Sequence, residues 1–229
     1  MRILVLGVGK TGKLVAEVAA ERGHSVHVLD AKENKDAAAL TPPFVAGFDV
    51  IIDFTTPEAV VSNMRACLAN GAKMVIGTTG WYDRLPRAKE ATKRRGASLL
   101  YGTNFSIGVQ TMLKFAEIMS RELQAEGYKL SISETHHLTK LDAPSGTALT
   151  LRDVVMRSAK LEDVPIKSIR HGEAVGQHVL EAESESDRIL LTHESHSRRA
   201  FAEGAVRAAE WLYKAKPGVY DFCEVFDKL

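Results

Sequence analysis

The stretch from Ile3 to Asp30 constrains the fold of this chain more than any other. Ile3 to Leu6 is wholly apolar and runs straight into Gly7-Val8-Gly9-Lys10-Thr11-Gly12. Leu14, Val15, Val18 and Ala19 then recur at helical spacing up to Gly23, and Val26 to Leu29 forms a second strand-like run that ends on Asp30. Strand, Gly-x-Gly-x-x-Gly, helix, strand and acid, in that order, make the fingerprint of a dinucleotide-binding unit. The glycines permit a tight turn and let a pyrophosphate approach the helix N-terminus, and the acid can accept hydrogen bonds from the adenosine ribose. Gly7, Val8, Gly9, Lys10, Thr11, Gly12 and Asp30 are therefore candidate cofactor contacts. A carboxylate at Asp30 repels a 2′-phosphate, which favours NADH, while the nearby Lys32 offers a compensating charge that leaves NADPH possible.

The pattern continues for about a hundred residues. Val50 to Phe54 and Met74 to Ile76 read as buried strands that end in Thr55-Thr56-Pro57 and Gly77-Thr78-Thr79-Gly80. Small hydroxyl-bearing turns of this kind suit a cofactor at the carboxyl edge of a parallel sheet. Helices are predicted from Pro57 to about Asn70 and from Arg84 to Arg95, the latter with a basic, solvated face. Ser98 to Tyr101 adds a strand before Gly102-Thr103-Asn104-Phe105-Ser106, and Ala31 to Phe48 is a polar connection with at most one short helix. The sum is a Rossmann-like, doubly wound α/β unit.

Beyond Ser106 the pattern changes. Ile107 to Glu126 forms a long amphipathic helix whose Met and Phe stripe, Phe115 included, reads as core. Lys129 to Ser133, Ile166 to Arg170, His178 to Glu183 and Ile189 to Glu194 alternate as half-buried strands do, which predicts a second α+β domain with a mainly antiparallel or mixed sheet. His171, His178, His193 and His196 are scattered along these strands and read as surface or sheet residues. Phe201 to Leu212 is an amphipathic helix expected to return to the first domain, so the boundaries are 1–104 with 200–229, and 105–199.

The chemistry is concentrated in Glu134-Thr-His-His-Leu-Thr-Lys-Leu-Asp-Ala-Pro-Ser-Gly-Thr147. Pro144 pushes Ala143 into extended backbone and stops the chain before a helix running to about Ser158, so Ser145, Gly146 and Thr147 form its first turn, an anion-binding arrangement. Lys140 adds positive charge, and His136 or His137 can supply a proton near neutral pH. A Ser-Gly-Thr turn is often only a helix cap; the density of His, Lys and turn makes the difference here. A zinc site is the other candidate, disfavoured because adjacent histidines on a strand point to opposite faces and no Cys is near, so no metal is expected. Cys67 and Cys223 lie in apolar surroundings and read as buried thiols.

Charge and length narrow the partners. Lys+Arg 30 against Asp+Glu 29 leaves no footprint for nucleic acid or a membrane surface. The apolar run at the N-terminus is too short for a signal peptide, which suggests the cytosol.

Taken together, the Glu134 to Thr147 segment resembles the signature of the dihydrodipicolinate reductase family, also called 4-hydroxy-tetrahydrodipicolinate reductases. Asp53-Phe54-Thr55, Val75 to Gly80, Asn104 to Val109, Arg170 to His178, Leu191-Thr192-His193 and Arg198 to Ala205 also look like blocks of that family in family order. The resemblance implies hydride transfer from NAD(P)H to a cyclic dicarboxylate in lysine biosynthesis through diaminopimelate. It implies His136 as general acid and Lys140 as second catalytic residue, with His137, Lys140, Ser145, Gly146 and Thr147 holding the substrate carboxylates. Gly77, Thr78, Thr79 and Gly102, Thr103, Asn104, Phe105 would line the nicotinamide side. It further implies a homotetramer joined through the second domain's sheets, with hinge closure over substrate. The turn Gly7 to Gly12 is one residue shorter than the family's usual Gly-x-x-Gly-x-Met-Gly and lacks its Met. Two rival readings are another two-domain dehydrogenase acting on an amino or imino acid, and a nicotinamide-binding sensor without turnover; the joint presence of His136 and Lys140 argues against the sensor.

Overall fold

The computed structural model describes residues 1–140 and 142–229 and divides into two units, Met1–Ser106 with Arg199–Leu229, and Ile107–Arg198.

In the first unit, strands β1 (Arg2–Leu6), β2 (Ser25–Leu29), β3 (Val50–Asp53), β4 (Lys73–Ile76) and β5 (Ser98–Tyr101) alternate with helices α1 (Lys10–Glu21), α2 (Pro42–Val45), α3 (Pro57–Ala69) and α4 (Leu85–Arg95). Ile3, Leu4, Val5, Val50, Ile51, Ile52, Met74, Val75, Ile76, Leu99 and Leu100 are at most 1 % exposed. A strand apolar at every position needs cover on both faces, and parallel strands joined by helical crossovers supply it. All pairings in this sheet are parallel, in the order β2-β1-β3-β4-β5. The order reverses between β1 and β3, and ligands of such sheets bind outside the strands' carboxyl ends at that switch point. α3 starts with Pro57 at its first position and Thr56 as cap, whose hydroxyl accepts from the Ala59 amide at 3.3 Å.

In the second unit, α5 (Ile107–Ala125) and α6 (Gly146–Ala159) pack on a sheet of β6 (Lys129–His136), β7 (Ile166–Arg170), β8 (Gly176–Glu183) and β9 (Arg188–Ser195), in the order β7-β6-β8-β9. β7 pairs with β6 in parallel and the other two pairings are antiparallel, so the sheet is mixed. Leu130, Ile132, Leu180 and Ala182 face Val109, Met112, Leu151 and Val155 in its core.

The chain then re-enters the first unit as α7 (Arg199–Lys214), β10 (Gly218–Asp221) and α8 (Phe222–Val225). β10, which sequence periodicity does not reveal, pairs in parallel with β5 as the sixth strand. Two further differences from the sequence reading are local. Phe115 is 56 % exposed on the outer side of α5, because the helix buries only the stripe through Val109, Met112, Leu113 and Ala116. Cys223 is exposed beside the buried Phe222, its thiol donating to Asp221 at 3.0 Å, whereas Cys67 is buried. No helix among the described residues is long and apolar enough to cross a membrane.

Candidate active site

The turn after β1 leaves no room for side chains. Gly7 has φ +101°, and a Cβ there would lie 2.3 Å from the Phe54 carbonyl oxygen; a Cβ on Gly12 would lie 2.1 Å from the Gly7 oxygen. Gly9 caps α1 with no side-chain hydrogen bond and open space beside it, so the first-turn amides remain available to an anion. Lys10 is exposed and Thr11 half-buried in that turn. A cleft of about 530 Å³ runs past Gly7, Val8, Gly9, Asp30, Lys35 and Thr55. Asp30 is fixed at its wall, Oδ1 accepting the amides of Lys32 at 2.7 Å and Glu33 at 2.8 Å. Lys35 lines the cleft; Lys32 does not. The uncapped helix start, the cradle that a Cβ would fill and the acid at the wall fit a dinucleotide.

Beside this cleft lies a buried network that the sequence reading missed. Asp53, at the end of β3, accepts the Thr55 amide at 3.0 Å, the Thr55 and Thr78 hydroxyls at 2.7 Å each, and the Asn63 amide group at 2.8 Å. Burial pushes its pKa above the usual carboxylate range, against the hydrogen bonds from Thr55, Asn63 and Thr78. The hydroxyls of Thr55 and Thr78, read from sequence as facing a cofactor, are thus spent on Asp53; Thr79 is exposed. A Cβ on Gly77 would meet the Phe54 ring at 2.1 Å. After β5, the Gly102 carbonyl accepts from the Tyr82 hydroxyl at 3.1 Å, Asn104 accepts the Ser106 amide at 2.8 Å, Thr103 is half-buried, and Phe105 packs on Phe222. Because the strands are parallel, these turns and the glycine turn share the sheet's carboxyl edge.

In the second unit, β6 buries alternate residues: Leu130, Ile132, Glu134 and His136. The face that begins as apolar core therefore ends as a carboxylate and an imidazole. β8 does the same with Gly176, His178, Leu180 and Ala182, and the register sets His178 opposite Glu134. His178 is 4 % exposed, so this residue, assigned from sequence to the surface or sheet, belongs to the site. Glu134 is the hub. Both its oxygens accept the Ser145 amide at 3.1 Å, Oε1 lies 3.4 Å from the Arg170 guanidinium, and Oε2 lies 3.4 Å from His136 Nδ1 and 3.9 Å from His178 Nε2.

Burial works against the Glu134 charge, yet hydrogen bonds from Ser145 and Ser168, and after them His136, outweigh it and hold its pKa below the usual carboxylate range. Burial lowers the pKa of His136, with Lys140 and Arg170 pushing the same way and Glu134 opposing. His178 is pushed down to about 4 by burial, then by His136, and is neutral at physiological pH. Glu134, His136 and His178 place three potential ligand atoms within 4.8 Å, a grouping that the adjacent His136-His137 pair does not reveal, although both Glu134 oxygens already accept the Ser145 amide.

The other predicted site residues surround this hub. Ser145 caps α6, its hydroxyl accepting the Ala148 amide at 3.2 Å and lying 3.2 Å from His178 Nε2. Gly146 opens the helix with open space at its Cα, and Thr147 is buried. Lys140 donates to Asp142 at 2.7 Å. His137 follows the end of β6 and is half-buried, Nδ1 2.8 Å from the Thr139 hydroxyl and Nε2 3.4 Å from Arg198. Arg170, unassigned from sequence, also donates to the Asp142 carbonyl at 2.6 Å and so ties the signature loop to β7.

A doubly wound sheet with a glycine-turn dinucleotide cleft, joined in one chain to a mixed sheet with a buried acid-base cluster, defines a two-unit nicotinamide-dependent oxidoreductase. Residues 1–105 match the family described as dihydrodipicolinate reductase, N-terminus, and residues 108–226 match its C-terminus. The chain belongs to the dihydrodipicolinate reductase family. It is 35% identical over 243 residues to the 4-hydroxy-tetrahydrodipicolinate reductase of Christiangramia forsetii, covering 100% of this chain and 99% of that protein. It is 33% identical over 264 residues to the enzyme of the same name from Pseudomonas fluorescens, covering 98% of each. Among solved structures, the dipicolinate-bound dihydrodipicolinate reductase from Paenisporosarcina sp. shares the fold with a TM-score of 0.76 at 24% identity, over 98% of this chain and 99% of that one. An amine dehydrogenase from Mycobacterium smegmatis shares it at 0.64 and 10% identity, over 97% and 95%.

Proposed function

We infer that the chain is a 4-hydroxy-tetrahydrodipicolinate reductase, which uses NAD(P)H to form tetrahydrodipicolinate on the diaminopimelate route to lysine. The observation that carries the reading is the buried His136 set against Glu134, beside Lys140 and the uncrowded start of α6.

The first unit would hold the cofactor: the amides after Gly9 take the pyrophosphate, Asp30 the ribose, and the turns at Gly77 to Thr79 and Gly102 to Phe105 the nicotinamide side. When bound, the reduced nicotinamide supplies the hydride. The second unit would hold the substrate. The start of α6 at Gly146 and Thr147 would receive one carboxylate, with Ser145, whose amide is held by Glu134, setting the turn, and Lys140 and His137 would add donors for the other. His136 protonates the carbon next to the one that is reduced, and the positive charge of Lys140 stabilises the electron density that builds up there. The substrate's negative charge favours the protonated form of His136, against the burial that disfavours it. Asp30 at the cleft wall favours NADH, and Lys35 is the cation best placed to accommodate NADPH. Exposed Ile169, Ile189 and Leu190 support assembly through the second unit's sheet into four copies, to be checked by light-scattering mass; a monomer would refute the assembly.

The test of the activity is a coupled assay in which a synthase generates the substrate from pyruvate and aspartate semialdehyde. Wild type is expected to oxidise NADH faster than NADPH, with His136→Gln and Lys140→Ala each slowed about 100-fold or more. Folded protein that binds NADH but oxidises neither cofactor would refute the assignment and leave the other dehydrogenase or the sensor.

A further inference from the structure

We propose that Glu134 is the positioning residue of this site: its carboxylate holds the Nδ1 edge of His136, so that the proton given to substrate leaves from Nε2. The inference rests on His136 being the general acid. Three observations carry it.

First, the two edges of the His136 ring meet different surroundings. Nδ1 is sealed from solvent, has no hydrogen-bond partner among the described residues, and lies at ion-pair distance, 3.4 Å, from Glu134 Oε2. The Nε2 edge faces Gly176, where a Cβ would stand 3.0 Å from Nε2 and 3.3 Å from Cδ2. A glycine at that point in the strand leaves the Nε2 edge uncovered by any side chain of its own. Secondly, Glu134 cannot swing away, because the Ser145 amide holds both its oxygens at 3.1 Å and Arg170 stands on its other side. Thirdly, the His178 ring packs edge-on against that of His136, 5.1 Å between centroids at 71°, and restrains its plane.

Which nitrogen of an imidazole carries the mobile proton is set by the partner of the other one. With Nδ1–H directed at a carboxylate, the Nε2–H bond breaks as the new C–H bond forms. The neutral imidazole left behind keeps its Nδ1–H on Glu134 and regains a proton from water. A contact of 3.4 Å is long for a hydrogen bond, and such contacts tighten when the charged complex assembles. The same carboxylate serves the anion turn, since it orients the Ser145 amide that begins α6. One buried group therefore aligns the acid with the substrate's anchor.

The charges facing His136 are Glu134 from β6, Lys140 and Asp142 from the following loop, Arg170 from β7 and His178 from β8, with His193 behind it on β9. Glu134 and Asp142 favour the imidazolium; Lys140 and Arg170 disfavour it. Replacing Glu134 with Gln keeps an acceptor for Ser145 and removes one of the two favourable charges. The experiment is an NMR titration of the His136 ring in wild type, Glu134→Gln and Glu134→Asp, alongside the pH profile of kcat and the KM for NADH. In Glu134→Gln the His136 midpoint is expected to fall by roughly one pH unit or more, and the alkaline limb of kcat to move down with it, at unchanged KM for NADH. Glu134→Asp, with its charge drawn back, shifts the midpoint the same way by less, and it decides the matter if the Gln variant does not fold. A midpoint unmoved in the folded variants, with kcat lowered at all pH values alike, would overturn the proposal. Absence of turnover in wild type would instead sink the functional reading, while the NMR midpoints still report whether Glu134 holds His136.

Discussion

Asp53 and Glu134 are both carboxylates cut off from solvent near the carboxyl end of a strand, one in each unit, and their surroundings are opposite. Asp53 is ringed by neutral donors, the Thr55 amide and hydroxyl, the Thr78 hydroxyl and the Asn63 amide group, and burial raises its pKa. Glu134 also faces a guanidinium and two imidazoles, and its pKa is lowered, first by hydrogen bonds from Ser145 and Ser168 and then by His136. A carboxylate saturated by neutral groups organises backbone: Asp53 joins the ends of β3 and β4 to α3, and Asn63 passes the network on to Asn34 at 2.9 Å. A carboxylate facing titratable groups changes their proton affinity. Neutral donors hold both carboxylates, and what separates their roles is the guanidinium and the two imidazoles that Glu134 faces as well.

The sharpest way to break this contrast is to remove the structural carboxylate. Asp53→Ala removes the acceptor of three side-chain donors, Thr55, Thr78 and Asn63, while the Thr55 amide keeps the Thr78 hydroxyl at 2.7 Å, and each unsatisfied buried group costs about 1–3 kcal/mol. Urea unfolding is expected to show a loss of about 3 kcal/mol or more. Glu90→Ala, which removes an exposed ion pair with Arg94, should cost under about 1 kcal/mol. Equal losses in the two variants would mean that the Asp53 network contributes no more than a surface pair, and the contrast with Glu134 would fail.

How much of this was legible in the sequence follows the same division. The first unit's strands read directly, because parallel central strands are apolar at every position and their glycines mark the turns. β10 did not: Gly218–Asp221 is half-buried throughout and follows Lys216-Pro217, so no apolar run announces it. Asp53 closes an apolar run and looks like its end, while the partners that explain it lie two, ten and 25 positions away, where only the fold brings them. In the second unit, period-two alternation puts Glu134 and His136 on the face of Leu130 and Ile132, and that much could have been read. His178 could not, since its place opposite Glu134 depends on the register of β8 against β6. A one-residue slip would turn it to the other face. The signature from His136 to Thr147 was legible as a whole because a single strand end, loop and helix start carry it.

The smallest expected effect is also the one that tests the contrast by sign. Asp53 has a folded-state pKa raised above its unfolded value, so its contribution to stability is fully present below the unfolded pKa and is lost as pH rises through the folded one. Glu134 has a folded-state pKa lowered below its unfolded value, so its contribution is present above the unfolded pKa and is lost as pH falls through the folded one. The two groups therefore tilt the stability curve in opposite directions on either side of about pH 4, where free carboxyls titrate. Urea unfolding of Asp53→Asn from about pH 4 to about 7 should show a flatter decline toward neutral pH than wild type, and of Glu134→Gln from about pH 5 down to about 2 a flatter decline toward acid. A tenfold difference in proton affinity corresponds to about 1.4 kcal/mol, so differences of order 1 kcal/mol between the curves are expected. If both variants flatten the same limb, the two carboxylates titrate alike in the folded protein, and the neutral and cationic rings around them are not what distinguishes their roles.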